Sequence, residues 1–298
     1  MLDAQSRSLV ASPAHPDASR LAWLRHPELW VALALGGLLR FIWLDRAMWL
    51  SDQNDLLDLA RTAVTRGVIP VTGIRASIGA LNHPLSAYIL LPVAVVTPSP
   101  LAQTIALAIW NVLGIALVYL ASLRGFGRGV ARWATLIFAT CTATVQYSHF
   151  VWQQNYIAPL LALWLLCLFA GVIRGARGWL ASATALGLAA AMLHPTALAL
   201  LPVLVVAALL SPRLPSRCEL AAVAGLGLLG VLPTLVWEVL SHGYDITALR
   251  TYLATPGRLD LEVLAMMPRA FGDALGADSL GSGTLAAHWQ ALGTALGI

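Results

Sequence analysis

The sequence predicts an all-α integral membrane protein, a polytopic helical bundle of about seven spans with a helical first external loop. Three observations predict it. Hydrophobic residues make up 59% of the 298-residue chain and charged residues 11%, at a mean hydropathy of +0.77, whereas soluble domains carry about a quarter charged residues. Apolar runs of near-spanning length recur along the chain. Between them, arginines gather in three short loops: Arg124, Arg128 and Arg132, then Arg174 and Arg177, then Arg213 and Arg217.

Residues 1–26 are polar, carry Pro13 and Pro16, and read as a disordered cytoplasmic lead. The first apolar run starts too late and ends wrongly for a cleaved signal peptide. Residues 29–44 are therefore predicted to be a signal anchor, with Arg25 and His26 at its inner end and Arg40 placed to snorkel near its outer end. An external loop over 45–83 follows. Residues 84–97 are apolar, but as a helix they reach only about 20 Å, short of a core of about 30 Å. They are expected to lie on the outer surface as an amphipathic or re-entrant helix, and this choice puts all three arginine loops on the cytoplasmic side. The remaining spans are 101–122, 131–149, 156–173, 179–193, 195–210 and 220–240, closing a module over 27–240. Residues 241–298 emerge outside and lead, from His288 onward, into the start of a further span. Arg46, Arg61, Arg66 and Arg75 in the first external loop run against the charge rule, and have a use there if the ligand is a phosphate.

The formal charge of +4 comes from 18 arginines with no lysine, so any cation the chemistry needs must be Arg or His. Cys141, Cys167 and Cys218 give no disulfide or metal framework. Carboxylates are scarce, and Asp52, Asp55 and Asp58 stand together in the first external loop. Two readings of them stand. Ser51 or Asp52 suits a helix N-cap, and Asp55 three residues after Asp52 resembles a capping box, with negative charge at the positive end of the helix dipole. Alternatively the group holds the carboxylate of a reaction, and Asp52 is then the first candidate.

Three further features face outward. The stretch 80–88 carries His83-Pro84, with Pro84 near the first turn of a helix. The stretch 147–156 is a polar and aromatic turn whose Trp152 and Tyr156 equally fit an interfacial belt. His194-Pro195 is a candidate tight turn of a helical hairpin; the sub-length spans on both sides place it below the outer surface, where polar backbone survives only inside protein or a water-filled cavity. With Asp52, all three point toward one external cavity.

On these residues the chain resembles a family. A signal anchor ending near Arg40 is followed by Trp49-Leu50-Ser51-Asp52-Gln53, Gly67-Val68-Ile69-Pro70 and His83-Pro84-Leu85-Ser86-Ala87-Tyr88. Then come Leu123-Arg124-Gly125-Phe126-Gly127-Arg128 and Trp152-Gln153-Gln154-Asn155. This order is similar to the polyprenyl-phosphate-dependent membrane glycosyltransferases of the GT-C type, in particular the protein O-mannosyltransferase and aminoarabinose transferase group, over residues 25–240. The resemblance implies sugar transfer from a polyprenyl-phosphate donor to an acceptor hydroxyl, with Asp52 at the acceptor as general base. It places His83 where relatives carry a phosphate-holding Lys, and matches His194 to a second basic residue. Relatives often have an acid in the second outer loop, where this chain has Gln153, Gln154 and Asn155, and they continue well beyond the length seen here.

A sugar on a lipid phosphate already has a good leaving group, so one carboxylate suffices where glycoside hydrolysis needs two. Asp52 is then expected to deprotonate the acceptor, and His83, His194 and Arg75 to stabilise the departing phosphate. Asp55, Trp152, Gln154 and Asn155 are expected to contact substrate. No cofactor is expected; a divalent ion at Asp52 and Asp55 would need a further oxygen ligand from the tail, such as Asp245. The expected partners are the lipid-linked donor, an acceptor of unassigned kind and the bilayer of the inner (plasma) membrane, with no nucleic acid. A transporter is the alternative, disfavoured because the spans hold hardly any mid-membrane ionisable group; an inactive relative or fragment is the other.

Overall fold

The computed structural model describes residues 22–255 apart from 43, 45, 46, 48 and 214. The polar lead over 1–21, Arg46 and the tail over 256–298 with its expected further span lie outside the described residues. The fold is helical, with twelve α-helices among the described residues: α1 (Pro27–Phe41), α2 (Ser51–Arg66), α3 (Leu85–Tyr88), α4 (Leu91–Val96), α5 (Pro100–Phe126), α6 (Arg128–Thr140), α7 (Thr142–Gln146), α8 (Ile157–Arg174), α9 (Trp179–Leu193), α10 (Leu200–Leu210), α11 (Arg217–Leu240) and α12 (Tyr244–Ala254). Three are long and apolar enough to cross a membrane: α5, α8 with the 3-10 turn Gln153–Tyr156 before it, and α11. Shorter apolar helices cover Trp179–Leu193 and Pro195–Leu210.

The central element is α5, which packs against α1, α6 and α8. Ser99 starts it by accepting the Ala102 N–H, and Pro100 occupies its first position, where no N–H is missed. Its sides are sorted by polarity in the sense that suits lipid. Gln103, Thr104, Leu107, Ala108, Asn111, Gly114, Ile115 and Tyr119 are buried, while Leu101, Ile105, Ile109 and Leu113, four residues apart, are exposed and all apolar. Close crossings use glycine. A Cβ on Gly114 would stand 2.8 Å from Pro159 of α8, and one on Gly171 of α8 would stand 1.9 Å from Trp179 of α9. Small residues let helix backbones approach where apolar burial alone gives no preference over lipid.

Two sequence expectations change here. Residues 131–149 are not one continuous helix: α6 ends at Thr140, Cys141 turns to φ −58° and ψ 127°, and α7 is a single short helix. At the break stands Arg40, which does not snorkel but is fully buried. Its guanidinium donates to the carbonyls of Ala139 at 2.8 Å and Phe138 at 3.0 Å and lies 5.6 Å from the Phe138 ring centroid, with a further bond to its own Gly36 carbonyl at 3.0 Å. Thr144 also donates to the Phe138 carbonyl, at 2.6 Å. A helix end left open is thus satisfied by a cation, the sign its dipole favours. The segment 84–97 is the two short helices α3 and α4, well short of a span.

The arginine loops gather at one end of the bundle. Glu28 at the start of α1 accepts a fork from Arg128, 2.6 and 2.9 Å long, and the Tyr119 hydroxyl at 3.1 Å. Phe126 meets Phe169 edge-on, and Ser211 donates to the Gly171 carbonyl at 3.3 Å. Glu219 closes a capping box with Ser216 and also accepts the Gly178 N–H at 2.7 Å. At the other end lies a buried cluster of Leu56, Ala60, Ile74, Leu90, Leu107, Val151, Tyr156 and Leu193. It joins α2, the loops and the ends of α5, α8 and α9.

Candidate functional site

The cluster at this end carries a polar cavity of about 150 Å³ above it. Its wall contains Asp52 from α2, Arg75 and Asn82 from the first loop, Trp152, Gln153 and Gln154 from the second, and His194 from the third. Four chain segments separated by up to about 140 residues thus converge, through the buried cluster beneath.

Asp52 arrives there through α2, whose buried residues Gln53, Leu56, Leu57, Ala60 and Ala63 follow a helical stripe. Neither Ser51 nor Asp52 caps the helix. Leu50 holds the cap position and its N–H donates to the Gln53 side chain at 2.7 Å, the half of a capping box that needs no side-chain acceptor at the cap. The Asp52 carboxylate is left exposed, with a long 3.5 Å contact from Ser51 as its hydrogen bond among the described residues. Asp55 is exposed and does not line the cavity; Asp58 pairs with Arg61 at 3.3 Å.

Arg75 sits on a hairpin-like loop. It pairs with Leu81 in an antiparallel bridge, and Gly73 and Asn82 and Ala76 and Ala80 are joined by backbone bonds around it. The backbone at Gly73 is pressed against that of His83, where a Cβ would stand 2.8 Å from the His83 carbonyl oxygen. The second loop is held by α5: Trp110 donates to the Tyr156 carbonyl at 3.0 Å, Asn111 to the Asn155 carbonyl at 3.3 Å, and Asn155 to the Phe150 carbonyl at 2.9 Å. Asn155 is consequently buried and faces a neighbouring, more apolar cavity of about 340 Å³, which shares Trp152 and Gln154 with the first.

The two His-Pro dipeptides fold alike and end differently. In each, the ring Nδ1 accepts the N–H two residues on: Leu85 for His83 at 3.1 Å, Thr196 for His194 at 3.4 Å, the latter reinforced by the Thr196 hydroxyl at 2.7 Å. An accepting Nδ1 puts the proton on Nε2. His83 donates that proton to the Gly230 carbonyl on α11 at 2.9 Å, and burial holds its pKa below the ordinary value. Both of its nitrogens are engaged, and it stands outside the cavity wall. His194 lines the cavity with Nε2–H still to give.

The structure thus brings together Asp52, Arg75, His194, Trp152 and Gln154, and leaves out His83, Asp55 and Asn155. Sequence reasoning passed over Asn82 and Gln153 as cavity residues, although both lie in stretches it singled out; only burial distinguishes Gln153, at 3% exposed, from its neighbour. Among the described residues no group of three or more His, Cys, Asp or Glu side chains is placed to hold a metal ion. Asp245, the tail carboxylate considered for an ion, instead accepts the Leu81 N–H at 2.7 Å.

Among the described residues the apolar helices form a bundle whose loops build a polar cavity at one end. A family model, that of the dolichyl-phosphate-mannose-protein mannosyltransferases, matches residues 82–237, and the chain belongs to that family. Among solved structures it is similar in fold to ArnT from Cupriavidus metallidurans bound to undecaprenyl phosphate, with a TM-score of 0.55 and 20% identity over 76% of this chain. The chain spans 43% of the length of that protein. No curated protein sequence matches it.

Proposed function

We propose that this protein is a membrane glycosyltransferase that moves a sugar from a polyprenyl-phosphate-linked donor to an acceptor hydroxyl, in the cavity of Asp52, Arg75 and His194 on the extracytoplasmic side. The observation that carries the reading is the convergence in one small cavity of a carboxylate from α2, a guanidinium from the loop after it and an imidazole N–H from the His194 turn, within a member of this family. Asp52 takes the proton of the acceptor hydroxyl as its oxygen forms a bond to the anomeric carbon. The bond from that carbon to the phosphate oxygen breaks, its electron pair goes to the phosphate, and Arg75 and the His194 Nε2–H stabilise the charge that develops. Trp152, Gln153, Gln154 and Asn82 offer a ring face and amides to the sugar and acceptor. His83 serves the scaffold. The lipid-bound state of ArnT supports a polyprenyl phosphate as the carrier.

The test is transfer from a panel of polyprenyl-phosphate sugars by the full-length protein in nanodiscs, with labelled sugar followed into acceptor. Transfer is expected from at least one donor; none from a broad panel moves the weight to a carrier or inactive relative. The side of the membrane is read by single cysteines in a cysteine-free background. Gly79→Cys should react with an impermeant thiol reagent from outside and Gly127→Cys should not, the reverse pattern placing the cavity in the cytoplasm.

A further inference from the structure

Arg75 is an exposed, many-rotamer side chain on a loop, yet a phosphate site needs its guanidinium fixed. What fixes it comes from the far end of the described chain. Leaving α11, the chain turns through Gly243 in the left-handed region (φ 80°) and enters α12 with Tyr244 and Asp245. The Arg75 guanidinium carbon lies 5.7 Å from the centroid of the Tyr244 ring, within cation–π range. Next in sequence, Asp245 accepts the N–H of Leu81 at 2.7 Å. Arg75 and Leu81 are the bridged pair of the hairpin-like loop, so two consecutive residues of α12 grip both members of one pair. The corner itself is anchored on α11: the Asp245 N–H donates to Glu238 at 3.1 Å, and the Tyr244 ring meets Trp237 edge-on with centroids 6.4 Å apart.

We propose that the Tyr244–Asp245 corner is a positioning element that sets the Arg75 guanidinium for a phosphate group in the Asp52 cavity. It makes the segment after α11 part of the site. This rests on the reading of Arg75 as a phosphate ligand given above. Both halves of the contact, 75–81 and 244–245, lie outside the family match over 82–237. Tyr244 supplies a ring face that limits the guanidinium's rotamers, and Asp245 holds the backbone from which Arg75 projects.

The experiment measures binding of undecaprenyl phosphate, without sugar, to the full-length protein in nanodiscs, with melting temperatures compared in parallel. Arg75→Ala is expected to weaken binding about tenfold or more, as loss of a charge-assisted phosphate contact does. Tyr244→Leu should weaken it by about threefold to tenfold, the range of a cation–π contact, and Tyr244→Phe, which keeps the ring face, should bind as wild type. Asp245→Ala is an independent second route to the same loss. In the Arg75→Ala background neither Tyr244→Leu nor Asp245→Ala should weaken binding further, because both act through Arg75. Wild-type binding by Arg75→Ala, or no binding by wild type, overturns the phosphate reading and the proposal with it. A normal Arg75→Ala loss beside unchanged binding in Tyr244→Leu and Asp245→Ala overturns the proposal alone. So does a loss in either corner variant that persists undiminished without Arg75, since that is general packing.

Discussion

At the scale of single residues, the cavity sets apart side chains that look equivalent in the chain. Asp52 and Asp55 are about one helical turn apart, but Asp52 lines the cavity and Asp55 does not. Asp52→Asn keeps the volume and removes the proton acceptor, so transfer should fall on the order of a hundredfold to ten-thousandfold, about 3 to 5 kcal/mol of barrier. Asp55→Asn and Asp58→Asn should leave the rate nearly unchanged. Steady-state transfer by equally folded variants measures this, and near-wild-type turnover in Asp52→Asn would remove the general-base assignment. The two His-Pro turns divide in the same way. His83→Ala loses bonds to the Leu85 N–H and the Gly230 carbonyl, so it should cost about 1 to 2 kcal/mol of stability and leave affinity for a lipid phosphate unchanged. His194→Ala should weaken that affinity severalfold and, because its bonds to Thr196 are solvent-exposed, cost less stability than His83→Ala. Weaker lipid-phosphate binding by a well-folded His83→Ala would restore His83 to the site.

At the scale of elements, the break between α6 and α7 is held by a buried cation. The Ala139 carbonyl at the end of α6 is held by Arg40, and the α7 turn then leads into the 147–156 loop that walls the cavity. Lysine is a poor substitute because one ammonium does not reproduce a planar fork between two carbonyls. Arg40→Lys and Arg40→Met should therefore both destabilise, by about 1 to 3 kcal/mol, and both should disturb the loop. Differential scanning of the detergent-solubilised variants reads the first effect, and tryptophan fluorescence at Trp152 reads the second. A fully stable Arg40→Lys would mean that charge alone is needed.

At the scale of the whole molecule, the two ends are built for different tasks. At the cavity end the carboxylate that lines the cavity, Asp52, is left exposed. The arginine-loop end consumes its carboxylates in ties between helices: Glu28 to Arg128 and Tyr119, Glu219 to Ser216 and Gly178. The Arg128 fork holds the Glu28 carboxyl well down, to about 2, and the Ser216 and Gly178 backbone N–H groups do the same for Glu219. A carboxyl whose pKa is lower folded than unfolded stabilises fully above the unfolded value and loses that contribution as pH falls through the folded one. Stability should therefore decline between about pH 4.5 and pH 2. Glu28→Gln with Glu219→Gln should flatten the decline while lowering stability at neutral pH. Melting temperature against pH in detergent measures it, and an unchanged slope in the double variant would place the acid sensitivity elsewhere.

The sequence by itself determined the class of fold, because apolar run length and arginine loops act locally and survive any tertiary arrangement. Four stretches singled out by polarity within an apolar chain, 49–58, 80–88, 147–156 and 193–196, each contribute to the cavity or its support, whereas of the wall segment 74–77 the sequence marked Arg75 alone. Only the tertiary structure decided which residue of each stretch does so. His83 and His194 share a His-Pro dipeptide and the same ring-to-backbone turn, and their difference is that the Gly230 carbonyl of α11 reaches one ring and not the other. Arg40 reads as a snorkelling residue because its partners, the carbonyls of Phe138 and Ala139, lie 98 and 99 residues away and are backbone atoms, which carry no signal in side-chain pattern. The same holds for Asp245 and the Leu81 N–H. Periodicity and composition report what a segment must do with its own surface; a hydrogen bond to a distant backbone group depends on where another helix happens to end, and only the folded chain fixes that.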